Sequence, residues 1–382
     1  MTHMKSIDHT GQISSEIRET SSSNIDFSQP FFDSFKQEYK EFEEWSQKVS
    51  SQNRKSFIAS YRGQIVAIAI LKEECEEIPM CEDMRAGRVL KICTFKVEEY
   101  KKILLGELLI KKIFNEALKL DIATIYVTIL PNKTDLIDFF EKYGFRKKFS
   151  LSNETYNREE DVYVKDVIPP KDCRVDDPVL FNQIFFPSVL TKNVNVYLLP
   201  STPRYHNEFF NNDDKQMRFS EVFEIQVRKN FVIEKKYYST SKNRKVSKGD
   251  ILLFCRTTKK PGITSVGIVT DIKHTQEPLS GARSVEGPLK VSSSADGGKP
   301  AVRNIAHDKK TEITFRHCFD LENIIDLEKM REIYARANKK DQKSGRDFSI
   351  PQSIHPISHA YLQEVIKVGG IDKKYFFDMG EK

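Results

Sequence analysis

Nowhere in the 382 residues does an apolar run approach the roughly 20 residues that a membrane-spanning helix needs, so no membrane role is expected. The segment Met1 to Gln29 is polar and rich in Ser and Thr. It lacks the apolar stretch of a signal peptide and reads as a flexible tail (1–29) on a cytoplasmic protein. Cysteine is sparse, with six at 75, 81, 93, 173, 255 and 318, no Cys-x-x-Cys pair and no accompanying His cluster. That spacing argues against a zinc site, so no metal is expected. A disulfide framework is not expected in a cytosolic chain of this length either. No internal repeat is present.

What the chain does have is material for real cores. Apolar residues make up 39% and aromatics 11%. The length points to two domains, or two plus a linker. The net charge of +6 is unevenly spread. Glu73 to Asp83 holds six acidic residues and no basic one, whereas Gln226 to Lys260 holds eleven basic residues against Glu234 and Asp250.

The first half alternates helix and strand. Phe31 to Val49 predicts a helix with Phe31, Phe35, Tyr39, Phe42 and Trp45 on one face. Ser56–Ser60 and Ile65–Leu71 flank Arg62-Gly63 as a hairpin. Arg88–Val97 is a strand, Glu98–Leu120 an amphipathic helix, and Ala123–Leu130 a strand. Lys133–Tyr143 is a helix stopped by Gly144, and strand 161–168 closes the domain. This order predicts a mixed α/β layer over 30–168. Residues 169–192 read as a connection. Beyond it, Val194–Leu199, Ile251–Cys255, Val266–Ile272 and Glu312–Phe315 predict short strands. Residues 279–304 predict a mobile loop, while Leu321–Asn338 and Ala360–Lys367 predict helices.

The strand Val89-Leu90-Lys91-Ile92-Cys93-Thr94-Phe95-Lys96-Val97 runs into Tyr100-Lys101-Lys102-Ile103-Leu104-Leu105-Gly106. About 35 residues on stands Phe139-Phe140-Glu141-Lys142-Tyr143-Gly144-Phe145. Together these resemble the cofactor and closing motifs of GNAT acetyltransferases, whose fold is a mixed central sheet flanked by helices. The resemblance implies acetyl-CoA as cofactor. It places the site at Phe95, Val97, Lys101, Lys102, Ile103, Leu104, Leu105 and Gly106, with Asn132 near an asparagine that many relatives carry. Amide N–H groups at a helix start suit a diphosphate, and a glycine permits close approach. Two positions depart from the pattern. Leu104 stands where the family has glycine, and Phe140 stands where it has the tyrosine that protonates the leaving thiolate. Tyr143, near one helical turn on, is the candidate catalytic acid, or else a helix-end aromatic packed under the sheet. Pro131-Asn132 also suits a plain turn. Glu73, Glu74 and Glu107 are candidate bases, and the base is left open.

In the second half, Lys248-Gly249-Asp250 leads into Ile251–Arg256, followed by Val266-Gly267-Ile268-Val269. This resembles the PUA-like superfamily (ASCH and EVE domains), which implies an α+β small-barrel domain over 193–382. The pairing of the two halves, with Phe31-Phe32-Asp33-Ser34, Pro203-Arg204-Tyr205-His206 and Ile350-Pro351-Gln352-Ser353-Ile354, is similar to bacterial proteins that join a GNAT domain to an ASCH/PUA-like one. Lys235, Lys236, Lys242, Arg244, Lys245 and Lys248, interleaved with Tyr237 and Tyr238, suit phosphate contact and base stacking, though a charge run also suits a solvated surface. The expectation is an acetyl-CoA-dependent N-acetyltransferase acting on an amine of RNA, tRNA or charged tRNA. The alternatives are a protein or peptide N-acetyltransferase and a non-catalytic acetyl-CoA-binding reader of nucleic acid. Oligomeric state is left open.

Overall fold

The computed structural model describes residues 17–75, 87–98, 105–153, 158–202, 206, 233–239, 245–258, 260–275, 310–337 and 348–378. The first half is built on a seven-stranded sheet. Its elements in chain order are β1 (Arg18–Ser21), α1 (Asp33–Glu38), α2 (Phe42–Ser51), β2 (Lys55–Tyr61), β3 (Gln64–Glu74), β4 (Val89–Val97), α3 (Leu105–Lys119), β5 (Thr124–Ile129), α4 (Thr134–Lys142), β6 (Arg146–Asn153) and β7 (Arg158–Asp166). The strand order is β1-β2-β3-β4-β5-β7-β6. Every neighbouring pair is antiparallel except β4 and β5, which run parallel.

The β2–β3 hairpin turns at Arg62 and Gly63, whose φ values of 50° and 79° are those of a type I′ turn. β3 is buried from Ile65 to Leu71 because both faces of the sheet are covered. Ile68 and Ile70 pack with Phe31, Phe32, Phe42 and Val49 on the α1/α2 face. Ala67, Ala69 and Leu71 pack with Leu109, Ile113 and Phe114 on the α3 face.

Two expectations fail here. Residues 17–29 are not a loose tail: β1 pairs with β2, and Ile17, Ser22 and Ile25 are buried. Residues 31–49 are not one helix, because the chain breaks at Tyr39, which is extended (φ −119°, ψ 103°). The break lets Phe32, off the expected face, enter the cluster 6.0 Å from the Phe42 ring.

The second half continues with α5 (Pro178–Phe185), β8 (Val189–Leu190), β9 (Val196–Ser201), β10 (Glu234–Ser239), β11 (Ile251–Arg256), β12 (Gly262–Thr275), β13 (Lys310–Asp326), α6 (Leu327–Ala337), β14 (His355–Ile357), α7 (His359–Gly369) and β15 (Phe376–Phe377). Six strands form a sheet in the order β10-β13-β12-β11-β9-β14. It has two ends, so no closed barrel forms among the described residues. The expected helix from Leu321 is strand as far as Asp326, held by the β12 ladder, in which Ile263 faces Ile325. The Lys-Gly-Asp turn has a plain structural use. Gly249 sits at φ 89°, and buried Asp250 accepts N–H bonds from Asn195 (2.9 Å) and Ser247 (2.7 Å) at the entry to β11. The expected loop at 279–304 lies outside the described residues.

The expected connection, 169–192, is packed rather than free. α5 sits against β7 and β12, one from each sheet. Lys165, 1% exposed, donates to the Ile184 carbonyl at 2.8 Å, and Phe186 lies 5.5 Å from Phe114 of α3. β15 pairs with β8, and Lys374 forms an ion pair with Asp121. One apolar core runs through both halves. No helix among the described residues is long and apolar enough to cross a membrane.

Candidate active site

The parallel pair β4–β5 is short. Val89 to Ile92 faces Thr124 to Val127, and no ladder joins the strands beyond. β4 continues to Val97 along β3, and β5 continues to Ile129 along β7. The two strands therefore part, and their inner edges offer backbone N–H and C=O groups to a ligand. β4 is also bulged. Ile70 faces Thr94 and Leu71 faces Ile92, so Cys93 is the extra residue.

A cleft of about 650 Å³ occupies the parting, within the size range of small-ligand sites. Ile92 to Lys96 and Val127 to Leu130 form its strand walls, while Phe35, Tyr39, Phe42 and Trp45 roof it from α1, α2 and the turn between them. Among the described residues, Phe95 is the one expected cofactor residue that lines it; Val97 packs into the α3 core instead. Lys101, Lys102, Ile103 and Leu104 lie outside the described residues. Leu105 is buried at the start of α3. Gly106 follows it, and a Cβ there would stand 3.1 Å from the Phe139 ring. The glycine thus serves close packing of α3 on α4, and Gly106→Val would test that contact before any cofactor contact. Asn132 is exposed in its turn, whereas its neighbours Leu130 and Lys133 line the cleft.

Tyr143 is not brought to the cleft. It is 9% exposed, packs tilted against the Phe139 ring at 4.9 Å and bonds Glu107 of α3. Burial first, then the Glu107 carboxylate, raises the phenol's pKa, and burial also raises that of Glu107. The catalytic expectation for Tyr143 gives way to its structural alternative, a helix-end aromatic joining α4 to α3. Phe140 is fully buried against Phe95 and Phe145. Of the three candidate bases only Glu74 lines the cleft; Glu73 is on the outside, paired with Arg88. Burial works to raise the Glu74 pKa, but hydrogen bonds from Lys72 and Tyr126 outweigh it and hold the carboxyl below its ordinary range. Arg54, Lys91, Cys93 and Tyr126, all in or beside the cleft, escaped sequence reasoning. Their only signal was polar residues recurring within strands.

Among the described residues expected at nucleic acid, one is buried and most of the rest have protein partners. Lys235 is 4% exposed, and burial lowers its pKa well below the ordinary lysine range. It cannot contact a phosphate from there. Lys236 pairs with Glu312 at 2.8 Å and Lys248 with Asp271 at 2.7 Å. Tyr237 packs on the second core, and exposed Tyr238 bonds Glu312. Lys245 is exposed; Lys242 and Arg244 lie outside the described residues.

Between the halves lies a buried polar seam. Lys111 of α3 approaches His317 at 3.4 Å, His317 pairs with Asp320 at 3.0 Å, and Ser265 donates to Asp320 at 3.1 Å. Nearby, His206 meets Thr264 at 2.6 Å and is 3% exposed. Burial, assisted by Arg256, lowers its pKa from the ordinary 6.5 to about 4. A lowered folded-state pKa means that the unfolded chain binds more protons between those values. Stability from this group is therefore full above pH 6.5 and is lost as pH falls toward 4. The expected loss between pH 7.5 and 4.5 is about 2–3 kcal/mol. His206→Gln, which keeps a bond to Thr264, should remove that loss in urea titrations at the two pH values. An unchanged pH dependence in the variant would show that the proton uptake lies elsewhere.

No protein-family model matches the sequence, and no curated protein matches it. Among solved structures, the chain is similar to Arabidopsis thaliana Naa50 in complex with the bisubstrate analogue CoA-Ac-MVNAL, at 24% identity over 29% of this chain and 71% of that one, with a TM-score of 0.24. It is similar to Arabidopsis thaliana NAA60 with a bisubstrate analogue at 15% identity over 36% and 94%, with a TM-score of 0.30. An IAA acetyltransferase from Bacillus cereus gives 13% identity over 40% and 98%, with a TM-score of 0.29. Identities and scores this low leave function to be read from the sheet and its cleft.

Proposed function

We propose that the first half is an acetyl-CoA-dependent N-acetyltransferase. The observation that carries this reading is the parting of β4 and β5 beyond Ile92 and Val127 around a cleft of about 650 Å³. Unpaired strand edges there suit the amides of a pantetheine arm, and the first turn of α3, whose Gly106 stands beside Val97 at the end of β4, would offer helix N–H groups to a diphosphate. In the transfer, the acceptor nitrogen, as the free amine, bonds the thioester carbonyl carbon, the C–S bond breaks, and the proton shed by that nitrogen passes to the sulfur, so coenzyme A leaves as the thiol. Glu74, held anionic, is placed to steady the acceptor's ammonium before it loses its proton. The buried and ion-paired basic residues of the second sheet lend no support to an RNA acceptor, and the reading stops at an amine.

Calorimetry with acetyl-CoA tests it. Binding is expected in the micromolar range usual for enzyme substrates. Thr128→Trp, which puts an indole into the parting, should weaken binding at least tenfold and leave the unfolding temperature nearly unchanged. Absence of acetyl-CoA binding by the intact chain would overturn the reading.

A further inference from the structure

Both ends of the cleft carry cationic side chains. Lys96 and Lys133 stand toward the open end, near α4 and the end of β4. Lys91 stands at the closed end, where β4 and β5 still pair, opposite Tyr126. Lys91 also faces Lys72 directly across the β3–β4 ladder. Like charges directly opposed across antiparallel strands destabilise a sheet, so this pair is kept at a cost. Arg54 reaches the same place from the start of β2, its Nη1 3.1 Å from the Cys93 thiol at the bulge. Arg54, Lys72, Glu74, Lys91 and Cys93 all line the cleft.

Of the carboxylates that line the cleft, Glu38 pairs with Lys133 at 2.6 Å and Glu74 pairs with Lys72 at 2.7 Å. Neither Arg54 nor Lys91 forms an ion pair among the described residues. Arg54 is held by Gln52 at 2.6 and 2.8 Å, and Lys91 lies over the Tyr126 ring at 5.3 Å. Glu160, from β7, also lines the cleft, as does Lys48 of α2. With Glu41 counted as well, six cations line the cleft against four carboxylates, and Arg54 and Lys91 bring the surplus of positive charge to its closed end. The cofactor's own phosphates do not account for it. Lys91 is seven residues before Glu98, about 23 Å along a strand from the α3 end where a diphosphate would lie.

Resting on the acetyltransferase reading, we infer that the closed end of this cleft recognises an anionic group on the acceptor, which is a small amine bearing a carboxylate or a phosphate. Arg54 and Lys91 hold the anion, Lys72 and Tyr126 fix Glu74, and the amine is left toward the bulge where the strands part. A cleft of this size suits a small molecule better than a nucleic-acid strand.

The test compares acetyl transfer to matched amines: β-alanine against β-alaninamide for a carboxylate, and phosphoethanolamine against ethanolamine for a phosphate. In at least one pair kcat/KM should favour the anionic member tenfold or more, and the favoured pair identifies the anion. Lys91→Gln and Arg54→Gln should each cut that ratio about tenfold, while Arg54→Lys and Lys91→Arg keep most of it. Lys91→Glu should turn the preference toward a diamine such as putrescine. Because intrinsic amine reactivity is the same for every variant, the change in ratio reports the site alone. Acetyl-CoA affinity, measured by calorimetry on each variant, should stay within about twofold. Acetyl-CoA binding combined with equal or better use of the neutral amines, or with transfer to none of the anionic ones, overturns the inference and leaves the acetyltransferase reading standing. Transfer to tRNA alone would do the same. Failure to bind acetyl-CoA at all would instead remove the reading beneath it.

Discussion

Ended at residue 168, the chain is expected to lose cooperative unfolding and to bind apolar dyes. The first half looks self-sufficient as a run of elements, but its α3 face is completed by the second. Phe114, 1% exposed, has Phe145 on one side and Phe186 on the other. Val167 is fully buried, and its carbonyl accepts from Ser188. Lys165 and Lys111 are likewise enclosed by residues beyond the cut. Truncation returns those two amines to water at little cost, but it strips cover from the apolar groups around them. Each large apolar side chain contributes roughly 1.5–3 kcal/mol when buried, and three or four of them approach the whole stability of a domain, about 5–15 kcal/mol. Near-UV circular dichroism and a thermal melt of the 1–168 fragment are the check. A sharp transition close to that of the full chain would mean that the shared core is dispensable.

Much of the first half was legible because its signals are local. The Arg62-Gly63 turn, the apolar stripe of α3 and the glycine stop after α4 each depend on a few neighbouring residues. What escaped depends on partners distant in sequence. The bulge at Cys93 exists only relative to β3, and nothing in Lys91–Phe95 announces it. Lys235 and Lys236 are chemically identical, yet one is buried and the other exposed, because β10 pairs with β13 in the register Lys235 to Phe315. Residues 321–326 have helical periodicity but gain more from the ladder to β12. The two motifs point to β4 and α4, both of which border the cleft, but the individual side chains serve other ends. Gly106 and Tyr143 bind α3 to α4, and the polar residues that give the cleft its character come from β2, β3 and the early part of β4.

Gly144→Val should destabilise the protein by about 4 kcal/mol, lowering its unfolding temperature by of order 10 °C. Two separate causes add. Gly144 ends α4 at φ 85°, where its N–H bonds the Glu141 carbonyl at 2.9 Å and the Phe145 N–H bonds that of Phe140 at 3.1 Å. A side chain in that left-handed conformation costs roughly 1–2 kcal/mol. The second cause is steric. A Cβ at Gly144 would overlap the Gln183 carbonyl and stand 3.0 Å from both the Ile184 carbonyl and the Lys165 Nζ. Those atoms are backbone of α5 and a buried lysine nitrogen already bonded to it, so none can move without shifting the helix that joins the two sheets. Overpacking of this kind costs about 1–3 kcal/mol. Gly63 separates the causes, because its φ is 79° but nothing lies within 4 Å of an added Cβ. Gly63→Ala should therefore show the conformational cost alone, and Gly144→Ala should exceed it by the steric part. Equal losses at the two sites in urea titrations would show that α5 yields freely at Gly144, and the tight seat of α5 on the closing turn would have to be given up.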